Sequence, residues 1–88
     1  MIRSFKCKDT EALFAGKAPR KFKAFAAVAE RKLAQLDAAQ TLNFLRAPPG
    51  NRLEALAGDR RGRYSIHIND QFRLCFVWTA AGPKEVEI

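Results

Sequence analysis

The chain has 88 residues, of which 48% are hydrophobic, enough for one modest core over residues 1–88 and too apolar for a disordered segment. A formal net charge of +7 predicts attraction to a polyanion, whether nucleic acid, an anionic membrane or an acidic protein; the plain alternative is a solvated basic surface. Two cysteines at unrelated spacing and one histidine fall short of a zinc set, so no metal and no cofactor is expected. Residues 1–8 lack a secretory signal core and no stretch reaches membrane-spanning length, which predicts a cytoplasmic protein with free thiols and no membrane partner.

Alternation over residues 2–7 predicts a first strand, with Ile2, Ser4 and Lys6 against Arg3, Phe5 and Cys7. Asp9 or Thr10 can cap a short helix through Phe14 that stops near Gly16. Pro19 opens the longest element, where Phe22, Phe25, Ala26, Ala29, Leu33 and Leu36 recur at helical spacing. That stripe suits a helix packed on its own sheet better than a partner-binding helix. Thr41 caps one more short turn over residues 42–45.

Two prolines and a glycine then predict an extended loop from Arg46 to Asn51. Residues 53–56 suit a short edge strand, and Gly58 to Gly62 a turn. Tyr64, Ile66 and Ile68 alternate with polar residues, as do Leu74, Phe76 and Trp78, giving two half-buried strands. Ala81-Gly82-Pro83 predicts a turn, and residues 85–88 a last strand. The order of elements gives an α+β class, a small antiparallel sheet flanked by N-terminal helices.

Hairpin register follows from matching faces, because a one-residue slip turns every side chain over. A three-residue loop, Asp70-Gln71-Phe72, pairs Asn69 with Arg73, Ile68 with Leu74 and His67 with Cys75. Ser65, His67, Asn69 and Arg73 then share the face opposite the core, with His67 and Arg73 as diagonal neighbours roughly 7–8 Å apart. Cleaving RNA requires attack on phosphorus and cations that stabilise the charge developing on its oxygens. Arginine grips two oxygens at once, and histidine moves protons near neutral pH. Arg73 and His67 therefore form a minimal phosphate-cleaving pair. Asn51, Arg52, Arg60, Arg61, Arg63 and Asn69 would extend the grip along the RNA. The competing readings are structural: His67 as an ordinary strand residue, Arg73 paired with Asp70 or Glu54, and residues 60–63 as a charged turn. Tyr64, Phe76 and Trp78 suit the core better than a base-stacking platform.

Three runs carry a further resemblance: Arg46-Ala47-Pro48-Pro49-Gly50-Asn51-Arg52-Leu53-Glu54-Ala55-Leu56, Gly58-Asp59-Arg60-Arg61-Gly62-Arg63-Tyr64-Ser65-Ile66, and Ile68-Asn69-Asp70-Gln71-Phe72-Arg73-Leu74-Cys75-Phe76. With Ile2-Arg3-Ser4-Phe5-Lys6 and Arg31-Lys32-Leu33-Ala34-Gln35-Leu36, the chain closely resembles the HigB-type killer toxins of plasmid maintenance systems, in the RelE superfamily. The resemblance implies a toxin of a type II toxin–antitoxin system, a metal-independent messenger-RNA endonuclease acting in the ribosomal A site and so inhibiting translation. It also implies a HigA-type helix-turn-helix antitoxin, with operator DNA reached only through that partner. Arg73 falls where such toxins keep a phosphate-stabilising arginine, and His67 where they usually carry lysine or arginine. Killer toxins normally continue into a tail with polar or aromatic catalytic groups, whereas this sequence stops at Ile88. The alternative expectation is therefore a catalytically impaired antitoxin-binding and co-repressor module. A third is general RNA or ribosome binding through the basic surface alone.

Overall fold

The computed structural model describes residues 1–17, 19–56 and 62–88. Helix α1 spans Lys8–Phe14, a 3₁₀ segment Arg20–Phe25 leads into α2, Ala26–Ala38, and α3 spans Leu42–Arg46. A second 3₁₀ turn, Pro49–Asn51, precedes four strands: β1 Glu54–Ala55, β2 Arg63–His67, β3 Arg73–Thr79 and β4 Gly82–Glu87. They form one antiparallel sheet in the order β1-β2-β3-β4. The α+β architecture expected from the order of elements is therefore present.

The stripe on α2 resolves to Ala29, Leu33 and Leu36, all fully buried against Ile66, Leu74, Phe76 and Val86 of the sheet's inner face. Burying each large aliphatic side chain favours folding by about 1.5–3 kcal/mol, so this layer dominates the stability. Tyr64 and Trp78 each pack against Phe76, which is fully buried. Thr41 caps α3 as expected, its Oγ1 accepting from the Phe44 amide at 3.3 Å.

Several local expectations are corrected. The element after Pro19 opens as a 3₁₀ segment, not as α-helix. Its i,i+3 side chains eclipse, which puts Phe22 and Phe25 on one line, 5.7 Å apart between ring centroids. Phe25 then stacks on Phe72 at 4.7 Å, tying the helical layer to the hairpin loop. The double-proline run turns as 3₁₀ at Pro49–Asn51, with proline at its first position where the missing N–H costs nothing.

Residues 2–7 are extended but form no regular strand. Phe5 makes a single parallel bridge to Val86, supported by Arg3 N–H to Pro83 O, Val86 N–H to Ser4 O and Lys6 N–H to Val86 O. The ladder cannot continue because β4 is irregular: Glu85 has φ +52 and gives its N–H to Ser4 Oγ. Between Cys75 and Val77 the β3–β4 register shifts, the mark of a bulge. Gly82, expected in the turn, already belongs to β4. At φ +126 it leaves room for the Met1 carbonyl, against which an added Cβ would clash.

The hairpin register also differs. His67 pairs directly with Arg73, Ile66 with Leu74 and Ser65 with Cys75. The shift from the expected pairing is two residues, so each side chain keeps its face while the loop lengthens to residues 68–72. Asn69 is the cause. Its Oδ1 accepts from the amides of Gln71 and Phe72 at 2.9 and 2.8 Å, and the Ile68 amide reaches Phe72 O. This Asx turn stops the ladder at His67 and Arg73.

Candidate phosphate-binding face

The site lies on the outer face of β2 and β3. Ile68 N–H bonds Phe72 O, one step beyond the His67–Arg73 pair. That pattern makes His67 and Arg73 a non-hydrogen-bonded pair, the class whose side chains lie closest, with Cα atoms about 4.5 Å apart. The two candidate groups thus face each other more closely than the diagonal placement expected from the sequence.

Arg73 is held from several sides. Its Nε donates to Ser65 Oγ at 2.7 Å, and Nη2 donates to Arg52 O at 2.8 Å and to Ser65 O at 3.5 Å. The Glu54 carboxylate approaches Nη2 at 3.6 Å, the acid partner weighed from the sequence; Asp70 makes no ion pair among the described residues. Ser65 is fully buried, against the expectation of an open polar face. The Arg73 side chain is 31% exposed, so it is both anchored and reachable. His67 is half-buried and makes no side-chain hydrogen bond among the described residues.

The remaining candidates separate. Asn51 is fully buried, a correction to its expected contact with RNA. Its Nδ2 donates to Gln35 Oε1 and to Leu45 O, both at 3.0 Å, and its Oδ1 accepts from Lys32 Nζ. Burial, with Arg31 nearby, pushes the Lys32 ammonium below its ordinary range. Asn69 leaves the sheet face for the loop and shapes the turn instead. Arg52 is exposed, with a left-handed backbone at φ +46 and ψ +55. Arg63 lies on the same face of β2 as Ser65 and His67 and pairs with Glu85 at 2.7 Å. That hydrogen bond, although burial opposes it, holds the Glu85 carboxyl below the usual range. Arg63 Nη1 is buried without a hydrogen-bond partner among the described residues. Arg60 and Arg61 lie outside the described residues. No group of three or more His, Cys, Asp or Glu side chains among the described residues could hold a metal ion.

A paired arginine and histidine on a basic strand face suit recognition of a phosphodiester. A sequence model of the RelE-like toxins of type II toxin–antitoxin systems, HigB, matches residues 3–86. The chain belongs to this family. This HigB-like toxin also shares 56% identity over 48 residues with Toxin HigB-1 of Vibrio cholerae serotype O1, covering 54% of the chain and 50% of that protein. An uncharacterized protein of Haemophilus influenzae is 43% identical over 49 residues, covering 56% of the chain and 48% of that protein. The HigB-like chain spans about half the length of the curated relatives it matches. No helix among the described residues is long and apolar enough to cross a membrane.

The Arg52 carbonyl and the side chains of Lys32 and Gln35 are contributors that the sequence reading did not foresee. Arg52 acts through its carbonyl, and Lys32 and Gln35 act through Asn51. Gly50-Asn51 carried a turn signal, but no sequence pattern marks a backbone carbonyl as a partner of a distant arginine.

Proposed function

We propose that this HigB-like protein is a ribosome-dependent endoribonuclease that cuts translated messenger RNA in the A site and is neutralised by a HigA-type antitoxin. The observation that carries this reading is the direct pairing of His67 with an anchored, partly exposed Arg73. In the proposed cut, a ribose 2′-hydroxyl attacks the adjacent phosphorus and the bond to the 5′-oxygen breaks. The products are a 2′,3′-cyclic phosphate and a 5′-hydroxyl. Arg73 stabilises the charge developing on the non-bridging oxygens. His67 moves a proton to or from a reacting oxygen. Because a guanidinium supplies the positive charge, the reaction needs no metal. Arg52, Arg60, Arg61 and Arg63 hold flanking phosphates, and operator DNA is met only through the antitoxin.

Expression of Arg73→Ala tests this. Growth arrest and cleavage of a translated message should fall by roughly 10²–10³-fold, the loss expected for one donor to a developing oxyanion. Circular dichroism should stay native. Full toxicity in this variant sinks the assignment. A wild-type chain that binds antitoxin and represses its promoter, yet leaves translated message intact, supports the binding-module reading instead.

A further inference from the structure

Arg73 presents five N–H groups, and protein acceptors engage only part of that fork. Nε is taken by Ser65 Oγ, and Nη2 by the carbonyls of Arg52 and Ser65. Nη1 has no protein acceptor among the described residues. The contacts that hold Nε and Nη2 come from unusual places. Ser65 is a fully buried polar residue in the middle of β2. Arg52 holds a left-handed conformation, which a non-glycine residue adopts only when its surroundings hold it there. The residue before it, Asn51, is locked by Lys32, Gln35 and the Leu45 carbonyl. The Arg52 carbonyl is therefore aimed by a buried clasp rooted in α2.

We infer that Ser65 and the Asn51-Arg52 turn are a positioning device for Arg73, fixing Nε and Nη2 so that Nη1 is delivered to the scissile phosphate. This rests on the endonuclease reading for its consequence, but the geometry can be tested without it. A guanidinium on a free side chain samples many rotamers. One tied at Nε and Nη2 meets the transition state without reorganising. Ser65 and Asn51 touch no substrate; they act through Arg73.

The experiment uses the whole chain labelled with ¹⁵N-arginine. In the wild type, the Arg73 Nε–H should exchange with solvent far more slowly than the Nε–H of exposed arginines. Ser65→Ala should abolish that protection, and Ser65→Thr, which restores the hydroxyl, should recover it. Cleavage of a ribosome-bound message by Ser65→Ala should slow by about a hundredfold at saturating message, with little change in half-saturation, and recover in Ser65→Thr. An unprotected Arg73 Nε–H in the wild type overturns the proposal whether or not any variant folds. So does wild-type cleavage by a folded Ser65→Ala when Arg73→Ala is inactive. If Arg73→Ala cleaves normally while the exchange results hold, the endonuclease assignment fails and the positioning geometry stands.

Discussion

Arg73 and Lys32 are both half-buried cations held by protein oxygens, and the difference between them lies in their partners. Arg73 is held by Ser65 and the Arg52 carbonyl beside the sheet, whereas Lys32 donates to the fully buried Asn51. An Arg73→Lys substitution keeps the charge but loses the planar fork that reaches Ser65 and Arg52 together, so cleavage should stay reduced by about a hundredfold in a message-cutting assay. Lys32 makes a stability prediction. Its folded pKa lies below the ordinary 10.5, so between the two values the unfolded chain holds a proton that the folded chain has released. Stability therefore rises with pH through that window and falls again as pH drops through the folded pKa. Urea titrations from neutral pH to 10.5 should show this rise in the wild type. The difference between wild type and Lys32→Met should isolate it; parallel curves would contradict it. At this scale the sequence was informative about residue types and poor about partners. Arg73 and His67 stood out because their chemistry is local to the side chain. Asn51 was misread because its partners come from residues 16 and 19 positions earlier, a separation that only packing reveals.

The elements show which patterns transmit through a sequence. The α2 stripe and the alternation in β2 and β3 were legible because burial on one face imposes a period. That same period leaves a two-residue slip undetermined, since both registers keep every side chain on its face. The choice fell to Asn69 and its two amide bonds. Asn69→Ala should therefore destabilise the protein by about 1 kcal/mol, lowering the melting temperature by about 4–8 °C, with hydrogen exchange accelerating first at Gln71 and Phe72. The N-terminal segment was misread as a strand because the irregularity that interrupts its pairing resides in β4, at Glu85. Gly82 offers a sharper test. Gly82→Ala places a Cβ against the Met1 carbonyl and demands φ +126 of a residue that avoids it. The expected loss is roughly 1–3 kcal/mol by thermal melt, and an unchanged melting temperature would show that the segment is not docked there.

Across the whole molecule, the +7 charge and the placement of Arg52, Arg63 and Arg73 on or beside one sheet face make the proposed affinity for RNA sensitive to ionic strength. Binding to a single-stranded message should weaken with salt at a log–log slope of about −0.7 per phosphate contacted. Removing Arg63 should reduce that slope by about one contact, in an anisotropy titration over salt. An unchanged slope would place Arg63 outside the RNA path and leave it as the partner of Glu85 alone.

The parallel contact of residues 3–6 with residues 83–86 joins the two ends of the fold across nearly its full length. Such a long-range closure carries a loop-entropy cost that contacts between near neighbours do not. It also sets an order in time. As the chain leaves the ribosome, its opening segment can reach Asp37 and Phe14, but its backbone partners in β4 do not yet exist. Met1 cannot settle on Gly82, nor Ser4 on Glu85, before then. An emerging chain thus lacks this closure until β4 is made, and only then is the sheet complete.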